Sequence, residues 1–351
     1  MGQAKPYTVI ITRNIGGNHM ESKLITLFDY LKHLCEADID RIIQFVQGIL
    51  SADQSLPDRP DCPYCSDHHI IKYGHKGGKQ RFLCKSCGQT FMYTTNTIMA
   101  HSHQSRSVWL DFIRDTIDGV SLDESSENLG MSHPTAFNMR HKILAALEDW
   151  LNDYPTVLSD VAELDETFVL ESYKGKKLPE SINRAPRKHG AKASKPGISS
   201  EYIAICTGIQ RDGGVISKTA NRAKPSSDEI SQIYEGHIAD GTLILVDGLR
   251  SYNSLKDIAN CSIKDVVNDD ENDPVFNLNT VNGLHSFIKN TYNQYRGVAT
   301  KYLNRYNALF SVAFRCAKNS AESMMESIGN VGNTSYWHSC KSIRTEGLLC
   351  I

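Results

Sequence analysis

The segment Val161–Leu170 reads V-A-E-L-D-E-T-F-V-L, and it decides the fold of the larger part of the chain. Apolar and acidic side chains alternate along it, and a period of two predicts a β-strand. This strand carries three acids, Glu163, Asp165 and Glu166. Because an unpaired buried carboxylate is costly, acids on a strand of a sheet need a cation or a metal beside them.

The elements that follow this strand predict an α/β domain. The residues Arg211-Asp212-Gly213-Gly214 form a turn signal typical of an antiparallel hairpin. Residues 242–246 are almost wholly apolar, which indicates a strand buried on both faces. In chain order the predicted elements are strands 161–170, 202–210 and 215–220, helix 226–238, strand 242–246 and helix 284–295. This order is that of a ribonuclease-H-like sheet, which we predict for residues 157–320.

Two aspartates in this region indicate divalent-metal chemistry. Asp165 lies within the first strand, and Asp247 directly follows the apolar strand 242–246. Carboxylate oxygens from adjacent strands can hold Mg²⁺ or Mn²⁺, and a pair of such ions can clamp both oxygens of a phosphodiester exchange. The alternative is a pair of solvated loop acids, which fits Asp247 poorly because an apolar strand leads straight into it.

Four cysteines upstream predict a zinc ribbon over residues 57–98. They stand as C-P-Y-C and C-K-S-C with eighteen residues between the pairs, at Cys62, Cys65, Cys84 and Cys87. Each C-x-x-C turn presents two sulfurs to one metal, and this spacing suits a structural four-cysteine Zn²⁺ site. A pair of disulfides or a redox dithiol is the alternative.

Residues 104–152 have the pattern of a helix-turn-helix. Helix 106–117 is amphipathic, Ser121 begins a second helix with a capping box to Glu124, and Ser132 caps a third helix with Pro134 in its first turn. In a helix-turn-helix the last helix enters the major groove. A plain three-helix packing unit is the alternative. The side chains predicted to reach DNA are Asn138, Arg140, His141 and Lys142.

The net charge of −2 hides a strong segregation of basic residues. Residues 68–110 hold six Lys or Arg and no acid, residues 172–200 hold eight against one Glu, and residues 281–320 hold six and no acid. Three such stretches predict polyanion-facing surfaces, although any one alone is equally well a solvated surface. The second stretch is a Lys-, Pro- and Gly-containing insertion, 173–197, which we expect to be flexible and to contact DNA.

The remaining segments carry weaker signals. Residues 1–19 are expected to be either a disordered leader or a mis-assigned start, and residues 20–56 have the apolar period of helices. The C-terminal tail, residues 321–351, matches no motif. The six other cysteines lack metal-ligand spacing, and no apolar run is long enough for a membrane span or a signal-peptide core. A reduced, cytoplasmic protein of the bacterial, nucleoid-associated type is expected.

The motifs together resemble a known family of transposases. C-P-Y-C…C-K-S-C, then E-L-D-E-T-F-V, L-V-D-G-L-R-S-Y, V-N-G-L-H-S-F-I-K and R-G-V-A-T-K-Y-L are similar to the DDE-type insertion-sequence transposases of the IS1595 family, the ISXO2-like group. The resemblance covers residues 62–310. It implies a multidomain α/β protein with N-terminal helices, a zinc ribbon, a DNA-binding region and a ribonuclease-H-like catalytic domain.

The resemblance implies a catalytic site with one departure from the family pattern. Asp165 and Asp247 match the first two acids of the family, whereas the third position holds no acid. Asn282, His285 and Lys289 lie at i, i+3 and i+7 and therefore share one helix face. His285 is expected to ligate the second metal, Asn282 to supply a carbonyl oxygen and Lys289 to hold a phosphate. An acid at 269, 270 or 273 is the alternative third ligand.

The predicted activity is cleavage and strand transfer of DNA at terminal inverted repeats, with Mg²⁺ or Mn²⁺ as catalytic cofactor. The expected partners are double-stranded DNA, as transposon ends and target, and further copies of the chain on that DNA; no membrane partner is expected. The basic residues Lys188, Arg296 and Lys301 are expected to contact the DNA backbone. The alternatives are a catalytically inactive zinc-ribbon and helix-turn-helix regulator derived from a transposase, and a nuclease that cleaves without joining.

Overall fold

The described part of the chain holds the ribbon, the helical region and the α/β region. The computed structural model describes residues 58–180, 182, 185, 187, 192–211, 213–266, 275–295, 297–314 and 338–345, and all of them belong to the compact unit Phe45–Ile351. The predicted leader 1–19, the N-terminal helices 20–56 and the acids at 269, 270 and 273 lie outside the described residues, as does most of the tail 321–351.

The ribbon is a three-stranded antiparallel sheet. Its strands are β1 (Ile70–Lys76), β2 (Lys79–Cys84) and β3 (Thr90–Phe91), in the order β1-β2-β3. The turn between β1 and β2 needs positive φ at both Gly77 and Gly78, a conformation that glycine adopts without steric cost. The apolar core is small and centres on Phe82, which packs against the rings of Phe91 and Tyr93. A core of this size contributes little folding free energy, and a metal bound by the ribbon would add to it.

Three helices follow, each begun by a serine cap. They are α1 (Arg106–Ile117), α2 (Leu122–Asn128) and α3 (His133–Asp153). The hydroxyls of Ser105, Ser121 and Ser132 accept hydrogen bonds from the backbone N–H three residues on. The helix starts predicted after Ser121 and Ser132 and the helix predicted over residues 106–117 are therefore confirmed.

The central sheet has five strands in a mixed arrangement. Its members are β4 (Val161–Leu170), β5 (Tyr202–Gln210), β6 (Val215–Arg222), β7 (Leu243–Val246) and β8 (Ser262–Asp265), in the spatial order β6-β5-β4-β7-β8. The pairs β4–β5 and β5–β6 are antiparallel, whereas β4–β7 and β7–β8 are parallel. The sequence analysis did not predict β8, because S-I-K-D is short and half exposed.

Helices cover both faces of this sheet. Helix α4 (Ser227–Tyr234) and the 3₁₀ helix Arg250–Asp257 lie on one face. The other face carries α5 (Asn279–Gln294) and α6 (Leu303–Ala313), and the short helix α7 (Cys340–Thr345) packs against α3. Among the described helices, none has the length and apolar character that a membrane crossing requires.

Helices α1, α2 and α3 share one hydrophobic core with the α/β region. A single cluster joins Trp109 of α1 and Leu144 of α3 to Ile205 of β5 and Phe310 of α6. The hydroxyl of Tyr295, which follows α5, donates a hydrogen bond to the Thr116 carbonyl of α1. Among the described residues, the three helices therefore share one core with α5, α6 and the sheet.

Candidate active site

The strand register brings Asp165 and Asp247 side by side. Strands β4 and β7 pair in parallel as Val161 with Leu243 and Glu163 with Leu245, a constant offset of 82 residues. Continued one residue beyond the end of β7, the same offset sets Asp165 against Asp247, and the Asp247 charge acts on Asp165. Neighbouring strands lie about 4.8 Å apart and residues in register share a face, so the two carboxylates are neighbours. Gly248, with a φ of 87°, turns the chain away immediately afterwards.

His285 of α5 lies over the Asp165 carboxylate. Its Nδ1 is 3.6 Å from Asp165 Oδ2, and its Nε2 is 2.6 Å from the hydroxyl of Thr207 on β5. That hydroxyl donates its proton to the Asp165 carbonyl oxygen, at 2.8 Å, so it accepts from Nε2–H of the imidazole. The lone pair of Nδ1 therefore faces the carboxylate.

Two electron-rich atoms that face each other at this distance indicate a site for a cation. Burial, followed by the positive charge of Lys289, lowers the pKa of His285 to about 4, so the imidazole is neutral at pH 7. It therefore offers no positive charge to Asp165. A divalent ion bound by a nitrogen and carboxylate oxygens would resolve the repulsion, and this donor set suits Mn²⁺.

The electrostatics of Asp165 agree with a cation site. Burial raises its pKa to about 6; the N–H of Glu166 opposes this shift, and the Asp247 charge adds to it. Lys289 lowers the pKa of Asp165, which places its ammonium within electrostatic reach of the carboxylates. Lys289 itself is exposed. Asp165 thus lies beside His285 and within electrostatic reach of Asp247 and Lys289, whereas among the described residues the ligand atoms that gather within 4.8 Å of one another are those of the four ribbon cysteines.

Asn282 lies one turn before His285 on α5 and is exposed. Glu166, the residue after Asp165, points to the opposite face of the sheet, because side chains alternate along a strand. There, burial raises the pKa of Glu166 to about 7, and its Oε1 atom has no hydrogen-bond partner in the described part of the chain. Glu166 is therefore separated from the His285 side of the site.

Glu163 is a site residue whose role the sequence analysis missed. Its side chain is fully buried, and its carboxylate accepts hydrogen bonds from the backbone N–H of Thr280 and of Val281, each at 2.9 Å. It also accepts from the Thr280 hydroxyl at 2.9 Å and from Arg211 Nε at 2.8 Å. A carboxylate at a helix N-terminus is favoured by the orphan N–H groups and the dipole. Glu163 therefore anchors α5, which carries His285, to the strand that carries Asp165.

The sequence contains one part of the signal for Glu163, which is its position on the strand. Positions 163 and 165 are two apart on one strand, so they share a face. An acid on that face can accept hydrogen bonds from the first backbone N–H groups of a nearby helix, if that helix has no serine or aspartate of its own at its start. The helix itself begins at Asn279, five residues before the predicted 284, and Leu278 before it supplies no side-chain cap.

The four ribbon cysteines gather at one point. Their Sγ atoms lie within 4.8 Å of one another, and the pairs Cys62–Cys87 and Cys65–Cys84 are each 3.6 Å apart. A tetrahedral site with Zn–S bonds of about 2.3 Å has sulfurs roughly 3.8 Å apart, so the spacing fits Zn²⁺. All four cysteines are free, which contradicts the disulfide alternative.

The predicted DNA contacts of Arg140, His141 and Lys142 are wrong, since these side chains are 1%, 2% and 6% exposed. Arg140 donates to the Val120 carbonyl and lies over the rings of Phe112 and Tyr295. Lys142 donates to the Ala100 carbonyl. His141 lies among aromatic rings, and burial lowers its pKa well below the usual value. Helix α3 is covered by its neighbours on these sides.

Of the other residues predicted to contact DNA, one is buried, one is half-buried and two are not described by the structure. Lys301 is also buried, with its ammonium over the Tyr302 ring and donating to the Arg344 carbonyl, so its predicted backbone contact is wrong. Asn138 is half-buried, and its contact with DNA stays a prediction. Lys188 and Arg296 lie outside the described residues.

Comparisons with known proteins connect the chain to a mobile element. It is 24% identical over 275 residues to an uncharacterized protein in transposable element ISH50 of Halobacterium salinarum, across 76% of this chain and 90% of that protein. No family model matches the chain.

Solved structures of the Mos1 transposase are also similar to the chain, at low scores. The Mos1 strand transfer complex matches with a TM-score of 0.27 and 11% identity, across 93% of this chain and 99% of that one. The mariner Mos1 paired end complex with Mg matches with a TM-score of 0.26 and 12% identity, across 65% and 81%. Scores this low do not establish a shared fold.

Proposed function

We propose that this chain is a DNA transposase of an insertion sequence, which binds terminal inverted repeats and carries out divalent-metal-dependent cleavage and strand transfer. One observation carries the proposal: the lone pair of His285 Nδ1 faces a carboxylate of the adjacent Asp165 and Asp247 pair, which is a donor set for a divalent cation. The relative in transposable element ISH50 supports the mobile-element context. We also propose that the chain belongs with the IS1595-like transposases and that its central sheet is ribonuclease-H-like.

Each residue of the site has a chemical role in this proposal. Asp165 and Asp247 hold the metal through oxygen, and His285 holds it through Nδ1, with Thr207 fixing the imidazole tautomer. Asn282 supplies a further oxygen at the start of the same helix face. When bound, Mg²⁺ or Mn²⁺ supplies Lewis acidity and charge neutralisation to the phosphodiester.

Lys289 completes the site by binding a phosphate oxygen next to the scissile phosphodiester. It lies one turn beyond His285 on α5 and is exposed, so a strand can reach it. No covalent protein intermediate is required, because water and then the freed 3′-hydroxyl act as nucleophiles. Positioning and charge neutralisation account for the catalysis.

The ribbon and the helices α1–α3 supply DNA binding rather than chemistry. We propose that Cys62, Cys65, Cys84 and Cys87 hold a structural Zn²⁺ and that the basic ribbon residues face duplex DNA. Asn138 is the remaining candidate on α3 for contacting bases. Partners are transposon ends, target DNA and further copies of the chain on that DNA.

A strand-transfer assay tests the proposal. Labelled duplexes from the DNA flanking the gene are incubated with a supercoiled plasmid and Mn²⁺, with scrambled duplexes as the control substrate. We expect wild type to cleave and join the flanking duplexes, and Asp165→Asn and Asp247→Asn to bind them without cleavage. Asp160→Asn, an exposed acid that precedes β4, is the matched control and should keep full activity.

Two outcomes would overturn the proposal. DNA binding without metal-dependent cleavage by wild type identifies the inactive regulator. Cleavage without joined products, at flanking and scrambled duplexes alike, identifies a nuclease.

A further inference from the structure

A groove of about 1240 Å³ lies between the insertion that follows β4 and the helix α5. Six exposed lysines line it. Lys174 donates a hydrogen bond to the Gly297 carbonyl, and the rim holds the other five, namely Lys176, Lys177, Lys192, Lys195 and Lys289. Within the described residues, no ion pair joins any of these five ammonium groups to an acid. The groove is therefore a concentrated positive surface open to solvent.

The acid that lines this groove is already neutralised. Glu171 is 8% exposed, and its carboxylate pairs with Arg222 and accepts a hydrogen bond from Tyr173. Arg187, which also lines the groove, pairs with Glu201 at 2.9 Å. Neither pair offsets the charge of the rim, so an anion entering the groove meets uncompensated lysines.

The described residues of the insertion that line the groove are anchored to the rest of the protein. Arg187 Nη1 donates to the Glu171 carbonyl at 2.7 Å, and the N–H of Ser194 donates to Glu201 at 2.6 Å. The N–H of Thr300 donates to the Ser172 carbonyl at 2.9 Å, which ties the start of the insertion to the segment after α5. These hydrogen bonds therefore fix the backbone near the rim lysines of the insertion.

The floor of the groove is apolar and aromatic. Val169 of β4, Tyr202 of β5 and Val298 line it and are half-buried; Val169 and Tyr202 do so from opposite faces of the sheet, at the end where Leu170 pairs with Tyr202. A duplex presents phosphates outward and keeps its base faces stacked inside, so it cannot use such a floor. A single strand exposes its base faces, and a basic groove with aromatic and apolar surface is what binds it.

The position of Lys289 links this groove to the candidate metal site. It lines the groove and lies four residues beyond His285, so the two side chains are neighbours on one face of α5. A strand held at the metal site therefore runs directly into the groove.

We propose that this groove binds a single nucleic-acid strand, the unpaired segment next to the scissile phosphate, with bases on the apolar floor and phosphates on the lysine rim. This inference rests on the proposed function for the identity of the strand. Binding itself requires no catalysis, so the groove and the reaction can be tested separately.

The test is a fluorescence anisotropy titration of the full chain with a labelled 12-nucleotide thymidine strand and with a hairpin duplex, at several salt concentrations and without added Mg²⁺ or Mn²⁺. The test variant is Lys176→Gln with Lys177→Gln. The matched control is Lys256→Gln with Lys264→Gln, two lysines that do not line the groove. Circular dichroism checks that both fold.

Losing two strand phosphate contacts lowers the slope of log K against log salt by about 1.4, and weakens strand binding about 25-fold at 0.1 M salt. We expect this loss for the groove variant on the single strand, with duplex affinity and the control pair unchanged within about threefold. An unchanged strand affinity overturns the inference, and so does an equal loss for strand and duplex. If the groove variant selectively loses single-strand affinity but wild type fails in the strand-transfer assay, the proposed function is refuted while the inference about the groove is retained.

Discussion

Replacing Glu163 by Gln should destabilise the protein, whereas the same change at Glu166, three residues along the same strand, should stabilise it at pH 8. The Glu163 carboxylate is fully buried and accepts from two backbone N–H groups, a hydroxyl and Arg211. The amide of the new Gln side chain would keep one acceptor oxygen, but its NH₂ group would face hydrogen-bond donors. Arg211 would also lose its negatively charged partner. Breaking a buried, hydrogen-bonded charge pair costs about 3–5 kcal/mol.

Glu166 should respond in the opposite direction. Its folded pKa, about 7, exceeds its ordinary value because of burial, so the folded state binds this proton more tightly than the unfolded state. The stability that this proton contributes is present below the unfolded pKa and is lost as pH rises through about 7. At pH 8 the buried charge is a cost, and Glu166→Gln should add about 1–3 kcal/mol.

Urea unfolding at pH 8, without added Mg²⁺ or Mn²⁺, measures both free energies of unfolding by linear extrapolation. The reasoning predicts a loss of about 3–5 kcal/mol for Glu163→Gln beside a gain for Glu166→Gln. It is refuted if Glu163→Gln loses less than about 1 kcal/mol, because the cap on α5 would then contribute little.

Three further predictions follow from the site and its surroundings. Since the pKa of Asp165 is about 6, protons compete with metal there, and Mn²⁺ affinity by calorimetry should be about tenfold weaker at pH 5 than at pH 7; equal affinities would exclude Asp165 as a ligand. Purified protein should hold one zinc per chain by elemental analysis, and Cys87→Ser should lose it while Cys261→Ser, which replaces a cysteine outside the cluster, keeps it. Arg140→Ala should lower the free energy of unfolding by about 2–4 kcal/mol and leave the duplex affinity of the folded protein unchanged, whereas a selective loss of DNA binding would restore Arg140 to the DNA surface.

Local signals made the secondary structure of this chain readable. The alternating period at Val161–Leu170 and the serine caps of α2 and α3 are short-range features, and the structure has both. The proximity of Asp165 and Asp247 was also predictable from the sequence. Two acids at strand positions can share a metal only if their strands are neighbours, and the motif order suggested that they are. The exact partner of each strand, and the short strand β8, depend on long-range pairing.

Local sequence patterns could not predict which polar side chains are buried. Arg140, His141 and Lys142 form a basic run on a predicted recognition helix, yet they pack against Phe112, Tyr302 and the Ala100 carbonyl. Long basic side chains are normally exposed, so sequence reasoning assigns them to the surface. Only the packing of α3 against α1 and α6 determines that they are interior.

Glu163 was missed for the same reason. Its partners Thr280 and Val281 lie more than a hundred residues away, and nothing in the local sequence identifies them. Its position on the strand face of Asp165 was readable, whereas the helix end that it caps was not.

Anomalous scattering from crystals soaked in Mn²⁺ tests the central claim most directly. The account predicts a peak at bonding distance from carboxylate oxygens of both Asp165 and Asp247, with His285 Nδ1 as a further ligand, and no such peak in Asp165→Asn. Mn²⁺ density only at other acids, with these two aspartates left unbound, would contradict it.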